Sequence, residues 1–564
     1  MFSQKKILAS LCFCLSAAQP AFAIENPVDT LPKADTPPIA TDTPVTVEKE
    51  RTVSPQVQKV LSTVIHPESF GIQGAKAIPF DEVAAFFAPY ANKDITIGEL
   101  IVLSRKVTDL YQRRGYPLSF CYIPIQDFNA RVIKVIVIEG YVSGVTIEGN
   151  PGKTEQKIRD IANHLLAEKP LTQKTLDRYT NMLSLLPGLK ISASLPLPKK
   201  ADGSTELALK VARKPIDVTG VVESIDPYLR GVITAKASGN TSLAEEITIS
   251  TLISKENEEF YAASYAQPIG SEGLMLRVDA STYDGNPETD NIGPGLDRNV
   301  ESLRLSTTLS YPLLLKKNQS LIGSVTLAGT NFKDEISSDS TGRRITTNSN
   351  VRTLAIGGVY SANTSTRGRR LQLTLTKGLD SMGASKEITT NFSDSRFLNP
   401  IELNFTKFVG NFVQKNVFKK GWGTSVSAMA QYSDNNLPIT ERVIFGGFQY
   451  GRAFAPGRIV GDSGWGIALE LNRTLPFAYD LPFYKVRGLQ PYFLLESAKI
   501  YDNSNNTPLE DEISSAAIGI RLISADASRS TLDFSISKAL SGTDGDDFLD
   551  DLGISINFGI PFSY

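Results

Sequence analysis

The last twelve residues, 553-GISINFGIPFSY-564, decide the fold. Ile554, Ile556, Phe558, Ile560, Phe562 and Tyr564 are large and apolar, while Gly553, Ser555, Asn557, Gly559, Pro561 and Ser563 are small or polar. A strand sends alternate side chains to opposite faces, so this segment has one apolar face and one suited to water or close packing. Soluble domains seldom end on a long apolar strand that stops at an aromatic with no polar tail. The pattern fits a strand that finds its partner far upstream, closing a barrel. Phe562 and Tyr564 are then the closure signal, with the terminal aromatic at a membrane interface.

Working outward from this end, the same alternation recurs. Leu303, Leu305, Thr307, Leu309 and Tyr311 share one face, as do Leu371, Leu373 and Leu375; Leu532, Phe534 and Ile536 lie opposite Asp533, Ser535 and Ser537. From about Ile216 onward, segments of this kind are separated by Gly, Asn, Asp and Ser, and helical periodicity is gone. Roughly 350 residues at about 22 per strand and connection predict about sixteen antiparallel strands over 216–564, an even number in the range of single-chain outer-membrane barrels. No stretch beyond the N-terminal leader approaches the ~20 apolar residues a membrane helix needs. A closed barrel is the remaining way to pair every backbone group in lipid.

The N-terminus supplies the compartment. Lys5 and Lys6, the apolar run Ile7 to Ala17 and the Ala21-Phe22-Ala23 site predict a signal peptide over 1–23, leaving 541 of 564 residues. Cys12 and Cys14 depart with it, so Cys121 is the sole mature thiol and an intramolecular disulfide is excluded. Residues 24–65 are dense in Pro, Thr and Asp and predict a flexible linker. Its prolines leave room only for a short helix in "SPQVQKVLSTVI" from Ser54.

Two copies of one α/β unit follow, over 66–141 and 142–215, each ordered strand, helix, helix, strand, strand. In the first, Thr96 and Glu99 predict a capping box; Leu100, Leu103, Val107, Leu110 and Tyr111 form the apolar stripe of a helix to Arg114, stopped by Gly115.

These residues resemble a family. "LYQRRGYPLS" and "VIEGYVSGVTIEGN" in the first unit, with "LSLLPGLKISASL" in the second, are similar to POTRA domains. Within the barrel, "FGGFQYGRAFAPGRIVGDSGWG" resembles the inward-folded loop of two-partner secretion transporters of the haemolysin secretion/activation type. The family's usual form is Gly-Gly, then Val-Arg-Gly-Tyr, then Gly-Asp-x-Gly. Gly446 and Gly447, then Gly451, Arg452, Ala453 and Phe454, then Gly461, Asp462 and Gly464 take those places, with Gly451, Ala453 and Phe454 departing from the usual residues.

The resemblance implies that a strand carboxylate meets the loop arginine in the lumen. The family's Phe-x-Asp-x-Gly is Leu494, Glu496 and Ala498 here, and parity turns Glu496 inward, because Phe493 and Leu495 lie on the opposite face of the strand. Glu496 is therefore the expected loop-anchoring carboxylate, accepting from the Arg452 guanidinium. The reasoning is that a loop in a wet lumen has no apolar core to hold it, so a charged fork must.

The resemblance further implies an outer-membrane transporter, its first domains in the periplasm, that recognises and secretes a large exoprotein of adhesin or cytolysin type. Outer-membrane lipid, periplasmic chaperones and the barrel-assembly machinery are its other expected partners. A barrel-assembly factor of the same superfamily and a passive porin are the alternatives. Several classes drop out. "GDSG" at Gly461 to Gly464 is also a serine-protease motif, but His66 and His164 both precede the barrel, so Ser463 has no base and no catalytic residue is expected. The same scarcity of His and Cys argues against a metal site. A net charge of −2 gives no footprint for nucleic acid, and no cofactor motif is present. The acidic run Asp544 to Asp551 reads as a solvated loop.

Overall fold

The computed structural model describes residues 27–31 and 61–562, apart from 226–227, 255–256, 288–294, 339, 393–398, 482–483, 504–508, 525–530 and 542–551. The signal peptide, the segment from Ser54 to 60, the acidic run from Asp544 and the terminal Tyr564 lie outside the described residues.

The first α/β unit is a three-stranded sheet with Val132–Ile138 in the middle, parallel to Ser69–Gln73 and antiparallel to Phe120–Tyr122. Its long helix runs Ile97–Arg113. The Thr96 side chain caps the Glu99 N–H while Glu99 returns to the Thr96 N–H at 2.8 Å, so the capping box forms as the sequence predicts. Leu100, Leu103, Val107 and Tyr111 are buried against Ile133, Val135 and Val137 of the central strand. The second unit repeats the topology, with Ser204–Arg213 between Tyr141–Gly149 and Leu189–Ser194, under helices Glu155–Leu166 and Gln173–Ser184. Its first strand starts at Tyr141, one residue before the expected boundary at 142.

The second unit is seated on the near end of the barrel. Lys157 donates to the carbonyls of Pro268 and Gly270, and Arg178 donates to the Pro312 carbonyl and, at 2.8 Å, to the Tyr311 hydroxyl. The turns at 270–273 and 317–318 therefore face the second α/β unit, and the connection 433–462 opens at the far end.

The barrel is closed and antiparallel. Eighteen hydrogen-bonded segments form it, but Arg367–Gly378 and Ser385–Thr390 both pair with Arg344–Asn363, and Ser463–Arg473 and Leu475–Leu481 both pair with Tyr484–Asp502. Each couple is one interrupted strand, which gives sixteen. The last strand, Leu552–Phe562, pairs with the first, Ile216–Ile225, from Ser555 opposite Ile225 to Phe562 opposite Val218. Leu303, Leu305, Leu373, Leu375, Ile536 and Ile554 face outward, as the alternation requires, while Ser302, Ser306, Ser535, Ser537 and Ser555 are buried on the inner side.

The expected linker differs in one place. Pro27–Thr30 is a 3-10 turn inside the barrel, and Leu31 is buried against Val232, Leu252, Tyr283, Val300 and Phe332 of the inner wall. Composition alone reads this stretch as free chain, but Val28 and Leu31, three residues apart, share the face that meets the wall's apolar patch.

Candidate functional site: the loop folded into the barrel

The connection 433–462 turns back into the lumen as a hairpin. Its arms Val443–Phe445 and Ile459–Gly461 pair antiparallel, Val443 with Gly461 and Phe445 with Ile459. Val443, Phe445, Phe454 and Ile459 bury against Ala498, Ile500, Ile513 and Ala539 of the wall, with Tyr450 and Ala453 packed beside them. The expectation that the loop lacks an apolar core is thus corrected. Inward positions of the neighbouring strands are apolar where the hairpin lies, so burial holds its body.

The tip from Gly446 to Arg458 is a compact turn. Gly446 has φ +123°, and a Cβ there would sit 2.2 Å from the Ala455 carbonyl oxygen, so only glycine fits. Gly447 donates to the Phe454 carbonyl, and Phe454 to the Gly451 carbonyl, both at 2.9 Å. A Cβ on Gly451 would lie 2.6 Å from Ile513 Cδ1 and 3.1 Å from Gly446 Cα. Gly464 stands in the wall strand where the Phe445 ring packs.

The tip carries Arg452 to the wall. Its main-chain N–H donates to Glu496 Oε2 at 2.9 Å, and the Ser515 hydroxyl donates to the same oxygen. The guanidinium goes elsewhere. Nη1 donates to the Tyr492 hydroxyl at 2.6 Å and to Ser535 Oγ at 3.2 Å; Tyr492 in turn donates to Asp533 Oδ1 at 2.6 Å, and Asp533 Oδ2 is 3.9 Å from Nη1. Asp533 is shared with Arg521, which also makes a two-pronged pair with Glu470. The Arg452 carbonyl accepts from Ser537. Phe448 lies against the guanidinium at 5.0 Å, and Nε is buried with no hydrogen-bond partner.

The predicted pairing of Arg452 with Glu496 is therefore corrected. Glu496 holds the loop by its backbone, and the charge is met by Asp533 through Tyr492. The physical reason is reach: the compact tip presents the Arg452 N–H to Glu496 of the Tyr484–Asp502 strand, while the long side chain projects on to the strand Thr531–Ser541.

Asp462 anchors the other end of the hairpin. Fully buried, it accepts from the Leu437 N–H and the Asn503 N–H at 2.8 Å each and pairs with Arg442 at 3.2 Å; Arg442 also pairs with Asp502 at 3.2 Å. Gly461 packs beside it against Ile500. Tyr492, Asp533, Arg521, Arg442 and Asp502 are the members that motif reading missed. Parity already put Asp533 inside, opposite Leu532 and Phe534; what no spacing showed was that Arg452 would reach it.

Comparison with known proteins identifies the family and the fold. A model of the POTRA domain, ShlB-type, matches residues 66–140. A model of the haemolysin secretion/activation protein ShlB/FhaC/HecB matches residues 237–522, more than half of the chain. The chain belongs to the haemolysin secretion/activation family. It is accordingly an outer-membrane transporter of the two-partner secretion type, with its N-terminal domains in the periplasm. Members act with large secreted exoproteins. This family member is 19% identical over 491 residues to the heme/hemopexin transporter protein HuxB of Haemophilus influenzae, covering 82% of this chain and 80% of that one. Over 85 residues, 15% of this chain, it is 33% identical to the outer membrane transporter CdiB of Escherichia coli. Its fold is similar to that of CdiB from Escherichia coli, with TM-score 0.65 at 19% identity over 92% of this chain and 94% of that one. It is also similar to BamA from Haemophilus ducreyi lacking POTRA domains 1–3, with TM-score 0.52 at 15% identity over 88% and 100% of the two chains.

Proposed function

We propose that this transporter exports one exoprotein of the adhesin or cytolysin class, recognised in the periplasm by both α/β units and passed through the barrel largely unfolded. The observation that carries this reading is the pair of sheet edges, one in each α/β unit. Phe120–Tyr122 and Leu189–Ser194 are each the outermost strand of a three-stranded sheet. An extended client segment that adds a strand there gains main-chain hydrogen bonds, while its alternate side chains are read by the neighbouring surface. With no nucleotide motif in the chain, folding of the client outside supplies the drive.

In this reading Gly446, Gly447, Gly451, Arg452, Ala453, Phe454, Gly461, Asp462 and Gly464 shape and hold the inward loop, and Glu496 anchors its tip. Phe562 and Tyr564 are the end signal that chaperones and the assembly machinery use to insert the barrel into outer-membrane lipid. The chain performs no catalysis and takes no cofactor, metal or nucleic acid. Comparing the medium of a deletion strain with that of its parent tests the reading. Loss of one large secreted protein is expected. A general deficit of outer-membrane barrels would instead identify an assembly factor, and an unchanged medium with unchanged barrels would leave a passive pore.

A further inference from the structure

Four neighbouring segments of the wall, Arg367–Gly378, Thr406–Val417, Trp422–Tyr432 and Ser463–Arg473, run side by side. Turns between adjacent strands alternate between the ends of the barrel, so those at 364–366 and 418–421 share the periplasmic end with 317–318. Leu373, Leu375, Phe408, Leu469 and Leu471 are exposed on the outer face of these segments, where lipid chains meet them. Parity puts Arg367 and Arg369 on the same face as Leu373 and Leu375, and Arg473 on the same face as Leu469 and Leu471. Trp422 stands opposite Arg473, whose guanidinium lies 5.3 Å from the ring. Phe418, Lys419 and Lys420 are exposed in the turn between them. The three stretches are drawn together, since the Val417 N–H donates to the Thr366 carbonyl at 2.8 Å and the Thr474 N–H to the Gly421 carbonyl at 2.7 Å. Basic side chains thus gather at the periplasmic rim, just below an apolar belt.

Their charge is not answered by the protein. Other cations of the barrel meet carboxylates: Lys333 pairs with Glu301, Arg344 with Glu335, Lys499 with Glu510 and Arg487 with Asp480. By contrast, residues 351–378 and 406–432 contain no Asp or Glu. Glu470 of the fourth segment points the other way, into the lumen, where it pairs with Arg521. Arg369 donates its Nε–H to Gln414 at 2.9 Å and Arg473 lies on Trp422, but among the described residues neither these two nor Arg367, Lys419 and Lys420 have an ion-pair partner. Like charges held this close repel one another unless an anion lies among them. The aromatic residues indicate which anion. Trp422 and Phe418, beside the cations and below the leucines, stand at the level of lipid headgroups.

We propose that this arc of the rim binds an anionic phospholipid of the phosphatidylglycerol class in the periplasmic leaflet of the outer membrane. Arg367, Arg369 and Arg473 present the planar forks that match phosphate oxygens, and Lys419 and Lys420 add point charge beneath them. The acyl chains run up over the exposed leucines. Because the cations share the outer face with that apolar belt and do not line the lumen, the geometry selects a lipid and not free phosphate.

The chain's two tryptophans provide the test, because Trp465, opposite Ala430, lies on the same outer wall toward the far end. In the full-length Trp465→Phe transporter, reconstituted in phosphatidylcholine vesicles, quenching by bromine-labelled lipid reports the lipid beside Trp422. Expected is binding of brominated phosphatidylglycerol about fivefold or more above brominated phosphatidylcholine, the effect of at least one basic residue at a charged headgroup. Replacing Arg367, Arg369 and Arg473 together by Gln should abolish that preference. In Trp422→Phe, where Trp465 is the reporter, no preference is expected. Equal quenching by the two lipids at Trp422, an equal preference at Trp465, or a preference that survives the triple substitution would each overturn the site. Should the triple variant fail to fold, the comparison of the two tryptophans still decides. Inorganic phosphate, added at an ionic strength matched with chloride, should leave the preference in place; its loss would assign the cations to soluble phosphate and overturn the lipid site.

Discussion

Arg452 shows how far one residue can be read. The motif around it and the parity of Glu496 and Asp533 were legible, because a glycine-flanked arginine and the alternation of a strand are local properties. Its partner was not, since three consecutive wall strands contribute to the site and only the inward fold of the loop carries the arginine to them. The geometry makes distinct predictions. Arg452→Ala should abolish or strongly reduce secretion while heat-modifiable mobility shows a folded barrel. Tyr492→Phe removes the hydroxyl that joins Arg452 to Asp533 and leaves buried polar groups short of a partner, at about 1–3 kcal/mol; secretion should fall to an intermediate level. Glu496→Gln keeps an acceptor for the Arg452 N–H and should be mild. Exchanging the charges, Arg452→Glu with Glu496→Arg, should rescue nothing, because the carboxylate serves the backbone. Recovery of export in that double variant, scored by immunoblot of the medium, would restore a direct pair.

At the scale of elements, strong local signals carried well. The helix Ile97–Arg113 lies where the capping box and apolar stripe predict, since both are set by spacing within the helix. The hairpin inside the loop was not foreseen, because its three-residue arms are too short to show a period and its core is supplied by the wall. Gly451 tests that core. The family's usual valine at this place would drive a side chain into Ile513 and the Gly446 backbone, so Gly451→Val should displace the tip and lower secretion severalfold with the barrel still folded. Full export by that variant, in the same immunoblot, would mean the tip is not held as described.

The first α/β unit offers a chemical probe of its packing. Burial pushes the Cys121 thiol up to about 12. In the unfolded chain it ionises near ~8.5, so unfolding releases a proton above that value. The unit's stability from this source is complete below about pH 8.5 and is lost as the pH climbs toward 12. At pH near 8, maleimide should label Cys121 slowly in the folded protein and fast in denaturant. Fast labelling of the native form would contradict the burial.

At the scale of the whole molecule, the division into two repeated units and a barrel was readable because each has its own periodicity. The lodging of Leu31 in the lumen was not, since it depends on an apolar patch assembled from distant strands. The seating of the second unit on the barrel turns, through Lys157 and Arg178, was equally invisible to local pattern. It holds the unit that carries the proposed docking edge Leu189–Ser194 directly against the barrel. The most direct measurement is of a chain lacking residues 66–213, produced beside its exoprotein, with the medium probed for the client and the membrane for heat-modifiable barrel. Folded barrel with no client in the medium is predicted; client exported at the parental level by the barrel alone would contradict the account.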